Sequence, residues 1–200
     1  MFARVTVTAS ELETSRRFYE TVLAVLEGEP WDSFAVAQAE EGREPTQGLH
    51  VAFAAGSRDH VDAFWRAGVE AGYRSDGEPG LRPQYAHDYY GGFLLDPDGN
   101  SVEAVHRPDR TEAGPPIDHL WLGVTDLEAS RRFWEAIAPK LGLRVGEGDL
   151  PDYVFVAGGG RHLALVADGR RPTTGLRLAV AADATLAAVA DPHANVVEAG

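Results

Sequence analysis

Residues 2–22 read FARVTVTASELETSRRFYETV, and residues 117–137 read IDHLWLGVTDLEASRRFWEAI. With Phe2 aligned on Ile117, Leu12, Glu13, Ser15, Arg16, Arg17, Phe18 and Glu20 recur as Leu127, Glu128, Ser130, Arg131, Arg132, Phe133 and Glu135. Two further pairs follow: QGLHVAF at 47–53 against TGLRLAV at 174–180, and DPDGNSVEA at 96–104 against DPHANVVEA at 191–199. Internal repetition outranks local propensity as a guide to architecture, because each copy must build the same unit.

The repeats divide the chain into four segments. The first opens with a strand over Ala3–Ala9, where Val5 and Val7 alternate with Arg4, Thr6 and Thr8. Ser10 and Glu13 form a capping box for a helix over 11–26, and short strands are expected near 33–38. The second segment holds a strand over Leu49–Ala54, a helix from Arg58 to Ala71 ended by Gly72, and a Gly- and Pro-rich loop over 75–88. Strands over 90–95 and 101–106 flank the turn Asp96-Pro97-Asp98-Gly99-Asn100. Residues 107–116 read as a linker. The third segment repeats the first, with Thr125 and Glu128 as its capping box and strands at 153–157 and 162–167. The fourth repeats the second in shortened form, without room for the helix and long loop that separate His50 from Glu103.

Composition narrows the class. The chain has 200 residues, 44% hydrophobic and 24% charged, as a globular protein with a real core requires. It carries no cysteine, which excludes disulfides, thiolate metal sites and cysteine nucleophiles and suits a cytoplasmic protein. It shows neither a long apolar span nor the basic-then-apolar start of a secretory signal, so no membrane partner is expected. The net charge of −13 argues against nucleic acid; it suits a cationic ligand or simply an acidic solvated surface.

Strand side chains alternate between faces. If Val5 and Val7 pack under the helix, Arg4, Thr6 and Thr8 face the other way. The same parity turns His50, His119, Trp121, Arg177, Glu103 and Glu198 away from the helices, toward the concave side of a curved sheet.

The stretches VTASELETSRRFYETVL, GLHVAF, FLLDPDGNSVEAVH and IDHLWLGVTDLEASRRFW resemble the vicinal oxygen chelate superfamily, which includes glyoxalase I, bleomycin resistance proteins, fosfomycin resistance enzymes and extradiol dioxygenases. The resemblance spans nearly the whole chain. It implies an α+β fold in which tandem paired βαβββ modules form cupped mixed β-sheets with helices outside. Modules 1–47 and 48–106 would pair into a first domain, 1–110. Modules 117–171 and a truncated 173–200 would pair into a second, 111–200.

In metal enzymes of that superfamily one divalent ion sits in the cup, held by histidine and glutamate from the first and last strands of paired modules. Carried over by position, the first half supplies His50 and Glu103, with Arg4 where histidine is usual and Gln38 near the remaining place. The second supplies His119 and Glu198, with Arg177 and then Val166 or Ala167. Arginine cannot bind a cation, so each half lacks a third ligand. Two readings stay open: His50 and Glu103 hold one ion (Mn, Fe, Ni or Zn), or Arg4 pairs with Glu103 in its place. His119 with Glu198 is the weaker pair, because Arg177 can take Glu198.

Tyr85, His87, Tyr89 and Tyr90 suit a lid over the first cup, where Arg4, Gln38 and Trp121 would join them in holding a ligand. His60, His106, His162 and His193 read as solvent-facing or locally bonded. The function implied is small-molecule binding in the N-terminal cup without a complete metal site. The alternative is a metal-dependent lyase or dioxygenase acting on a vicinal-oxygen substrate through His50 and Glu103, with Glu103 as the catalytic carboxylate. The second half could instead be a degenerate partner. A monomer and a homodimer are both compatible with the sequence.

Overall fold

Alternation governs the first repeat. In β1 (Phe2–Ala9) Val5 and Val7 are buried and Arg4 is exposed, as strand parity requires. A computed structural model of the chain describes residues 2–26, 30–108, 117–147, 152–158, 161–181 and 187–200; most of the expected linker at 107–116 lies outside them. Helix α1 (Leu12–Leu23) buries Ser15, Phe18, Tyr19, Val22 and Leu23 against β1 and β2 (Phe34–Gln38). The capping boxes are not formed. Glu11 occupies the cap of α1 without a side-chain bond, while the Ser10 hydroxyl donates to Asp98 across 2.5 Å. In α3 (Leu127–Ile137) Asp126, not Thr125, accepts from the Ala129 amide.

The second segment comprises β3 (Leu49–Ala54), α2 (Arg58–Glu70), β4 (Arg74–Leu81), β5 (Tyr90–Leu95) and β6 (Ser101–His106). Ser57 caps α2, and Gly72, at φ 88°, ends it in the left-handed region that glycine tolerates. The stretch expected as a loop over 75–88 is a strand for its first half. Gly77, Pro79 and Gly80 are accommodated because β4 is the edge strand of its sheet, bulged between Ser75 and Gly80.

The third segment gives β7 (Ile117–Gly123), α3, β8 (Arg144–Glu147), β9 (Tyr153–Gly158) and β10 (Arg161–Val166). The fourth gives β11 (Arg177–Val180), a two-residue β12 (Val189–Ala190) and β13 (Val196–Ala199). Strand β8 lies in a stretch given no element from sequence. No helix among the described residues is long and apolar enough to cross a membrane.

The strands form two sheets, β12-β13-β11-β1-β2 and β4-β5-β6-β3-β7-β10-β9-β8. The first segment therefore pairs with the fourth, and the second with the third. This corrects the pairing expected within each half. All the opening strands present the same pattern of apolar residues under the helices, so parity leaves the choice of partner undetermined. The links before β3 and β11 cross to join the sheets, bridged at Gln47 and Thr174. Gly48 makes this crossing possible: its φ is 67°, and a Cβ there would stand 2.6 Å from the Arg171 carbonyl oxygen.

The repeated DP–N turns have a tying role. Asp96 accepts from the amides of Asp98 and Asn100, while Asn100 accepts from Leu49 N and donates to the Thr46 carbonyl. Asp191 and Asn195 reproduce the pattern with Leu176 and Thr173. Each turn thus fixes the last strand of a segment to its first and satisfies buried backbone groups. One core continues beneath both sheets, carried from α1 to β3 by the ring contacts Tyr19–Phe34 and Phe34–Phe53.

Candidate metal centre in the eight-stranded sheet

Register in the large sheet brings three donors together. Strand β3 lies between β6, parallel to it, and β7, antiparallel. Ala52 faces Glu103 on one side and His119 on the other. His50 is two residues before Ala52, hence on the same face. The small side chain of Ala52 leaves the space above it to its neighbours. The His50 Nε2 stands 3.0 Å from Glu103 Oε2, and His119 Nε2 stands 3.6 Å from the same oxygen. One donor atom from each residue lies within 4.8 Å of the others. Glu103 is 1% exposed and His119 2%.

The surrounding hydrogen bonds set which nitrogens are bare. The Ser101 hydroxyl gives its single proton to Asp76 (2.7 Å), so its oxygen must accept from His50 Nδ1–H (3.1 Å). Asp118 can only accept, so His119 Nδ1–H donates to it across 2.7 Å, and Arg107 pairs with the same carboxylate. Both Nε2 atoms therefore point lone pairs at Glu103 Oε2. That of His119 is buried without a hydrogen-bond partner among the described residues. Burial holds His50 below the usual histidine range, against the opposing pull of Glu103, so a proton does not relieve the conflict. A carboxylate oxygen and two imidazole lone pairs converging in a buried site repel one another unless a cation lies between them.

The donor set fits such a cation. Ligand atoms at right angles around an ion, with bonds of about 2.1 Å, lie about 3.0 Å apart. The His50–Glu103 spacing already matches this, and small side-chain rotations would bring His119 in. Ser101 and Asp118 provide the outer hydrogen bonds that orient ligating imidazoles. Tyr89 donates to the other carboxylate oxygen, Oε1, at 2.7 Å. Burial, then Glu103, raises that phenol above the usual tyrosine range, so it stays protonated as a donor. Glu103 thus keeps Oε2 for the centre.

Among the described residues no fourth donor joins the cluster. Glu103 stands beside the residue two after His50; the matching place, beside Trp121, is Ala164. The register thus puts this position at Ala164 rather than Val166 or Ala167. His162 pairs with His119 along β10 and stacks on its ring at 5.6 Å, not at a solvent-facing turn as expected.

Two cavities open onto the centre. One of about 450 Å³ reaches His50 and Glu103, and one of about 280 Å³ reaches His119 and His162. Tyr85, Tyr89 and Trp121 line both, with Tyr85 packed edge-on to Trp121 at 5.5 Å.

Of the residues singled out from sequence, His50, Glu103, His119, Tyr85, Tyr89 and Trp121 meet here. The others lie elsewhere. Arg4 is exposed on β1 in the other sheet, so the Arg4–Glu103 pair does not form; His50 and Tyr89 hold Glu103 instead. Glu198 sits beside Ala179 in the small sheet, away from His119, and Arg177 pairs with Glu40 rather than with it. Gln38 bonds the backbone around Ala9 and Leu12, His87 is exposed beside Asp88, and Tyr90 donates to Asp62. His60 bonds locally to Ser57, His106 bonds the Ala55 carbonyl across strands, and His193 accepts from Thr125 N. Sequence reading missed Ser101, Asp76, Asp118 and Arg107. The parity Ser101 shares with Glu103 was a usable signal. Asp118 offered none, because it belongs to the opposite parity from His119.

Comparison with known proteins agrees with this fold. No curated protein matches the sequence. Among solved structures, a glyoxalase/bleomycin resistance protein from Albidiferax ferrireducens T118 is 32% identical, over 54% of this chain and 99% of that one, with a TM-score of 0.48. Glyoxalase I from Zea mays is 16% identical with a TM-score of 0.63, covering 99% of this chain and 92% of its own, which shows a shared fold over the whole length. The family model described as Glyoxalase/Bleomycin resistance protein/Dioxygenase superfamily matches residues 2–104, more than half of the sequence, and the chain belongs to that superfamily.

Proposed function

We propose that the protein is a divalent-metal enzyme that takes a substrate with two adjacent oxygens at an ion held by His50, Glu103 and His119. One observation carries this reading: two imidazole Nε2 atoms, made bare by fixed Nδ1–H bonds, converge with a carboxylate oxygen in a buried site. Each half of the chain taken alone lacks a third ligand; the other half supplies it. The sequence favoured binding without a complete metal set; the three converging donors support the metal reading instead.

Two histidines and one carboxylate with open positions are the donor set of non-haem Fe(II) oxygenases. The ion would polarise the bound substrate oxygens. The protein's own part is to leave coordination positions open at Ala164, to hold Glu103 through Tyr89, and to flank the site with Trp121, Tyr85 and Tyr89. We therefore favour dioxygenase over lyase chemistry. A lyase moving a proton would want a second carboxylate at the ion, and alanine stands where it would be.

Protein purified without chelator should contain about one Mn, Fe, Ni or Zn per chain, lost equally in His50→Ala and His119→Ala. After anaerobic loading with Fe(II), a vicinal diol should be consumed with an equal amount of O₂. Metal retained in His119→Ala would refute the three-ligand site. Substrate turnover without O₂ uptake would refute the oxygenase assignment.

A further inference from the structure

Arginines outnumber carboxylates in the lining of the larger cavity, although the chain as a whole is acidic. The chain carries −13, yet Arg82, Arg170 and Arg171 line this one cavity against Asp76 and Glu103, and Glu103 is the carboxylate of the metal centre. Near charges outweigh the distant acidic surface, because salt screens beyond about 8 Å. The acidic surface alone suggested a cationic ligand; the lining favours an anion.

Arg170 and Arg82 are each held over an aromatic ring. The Arg170 guanidinium lies 5.2 Å above Trp121, and that of Arg82 5.3 Å above Phe93. Asp168 occupies one edge of Arg170, through Nε and Nη2, and Nη1 makes no hydrogen bond among the described residues. Arg82 is fixed by the carbonyls of Glu78 and Leu81, which steady its fork without cancelling its charge. Both arginines line the same cavity as His50 and Glu103, so a ligand there can meet them and the metal centre together. Rings and flat guanidinium groups at one mouth suit a planar ligand.

Resting on the metal reading above, we propose that the substrate is a small planar anion: its two adjacent oxygens reach the His50–Glu103–His119 centre, and a carboxylate at its far end is taken by Arg170 and Arg82. A carboxylate matches the two-pronged guanidinium edge, and about 450 Å³ accommodates a single-ring acid.

Catechol and 3,4-dihydroxybenzoate share the diol ring and differ by the carboxylate. Their affinities are measured by calorimetry without oxygen, once in chelator and once with Mn(II)-loaded protein. The carboxylate should bind about 10-fold tighter in both states, the worth of one charge-assisted hydrogen bond. Arg170→Met and Arg82→Met should each shrink that ratio, and the double variant should bring it to about one. Arg170→Lys should restore part of it. Mn(II) should still tighten both probes in every variant. Equal affinities in the unaltered protein, an unchanged ratio in the double variant, or no binding of either probe would overturn the proposal. If Mn(II) tightens neither probe, the metal reading fails, while the ratio in chelator still reports on the arginines.

Discussion

Asp118→Asn tests whether His119 is a true ligand, because it alters the imidazole without touching the donor atom. Asp118 lies beneath His119, 3% exposed, and holds Nδ1–H at 2.7 Å while pairing with Arg107. Asparagine keeps an acceptor oxygen of the same size but removes the charge that makes the Nε2 lone pair more basic. Outer partners of ligating histidines typically contribute 10–100-fold to metal affinity. The metal Kd should therefore rise by about 10–100-fold, equivalent to about 1.4–2.7 kcal/mol. Arg107 loses its carboxylate at the same time, and a buried charge left without its partner costs about 3–5 kcal/mol. Arg107 is 17% exposed and the amide oxygen still accepts, so about 2 kcal/mol of folding stability is expected to be lost. The assay is competition for Mn(II) or Zn(II) against a chromophoric chelator, run beside a urea titration at the same pH. A folded variant with unchanged metal affinity would show that Asp118 does not orient a ligand, and the role of His119 would fall with it.

Other expectations concern stability and the ion. Metal at 100 times its Kd should raise unfolding free energy by about 2.7 kcal/mol; chelator should abolish the gain, and His119→Ala should never show it. Gly48→Ala should destabilise the protein by more than the about 1–2 kcal/mol of a left-handed backbone, since its Cβ would also meet carbonyl oxygens at 2.6 Å; a shift under 0.5 kcal/mol (about the size of an ordinary surface change) would contradict the crossing described here. Asn100→Ala strands the buried Leu49 amide and Thr46 carbonyl, at about 1–3 kcal/mol each, and Asn195→Ala should do the same for Leu176 and Thr173. Denaturant midpoints unchanged in both variants would refute the tying role of the turns.

Much of this was legible before any coordinates. The repeats located the strands that open and close each segment, and parity put His50, Glu103, His119 and Trp121 on concave faces. What failed shares a cause. Ser10 and Thr125 matched a local capping pattern, but Ser10 is drawn to Asp98, 88 residues away, and Asp126 competes successfully in α3. Residues 74–81 read as loop because glycine and proline are rare in strands, a rule an edge strand with bulges escapes. His162 read as solvent-facing because it opens a strand beside a turn, but β10 begins at Arg161 and places it next to His119.

The sequence by itself determined the module, its repetition, and which side chains leave the helix-covered face. The superfamily resemblance, carried over by position, left each half short of a third ligand, with Arg4 and Arg177 where histidine is usual. Only the tertiary structure decided that the second segment pairs with the third. The opening strands carry one apolar pattern, so hydrophobic burial rewards any pairing of them almost equally. The choice rests on long-range contacts that leave little mark on local sequence: the crossing at Gly48, the bridge from Gln47 to Thr174, and the shared core under both sheets. That choice carries His119 across to His50 and Glu103 and makes three donors of two incomplete pairs.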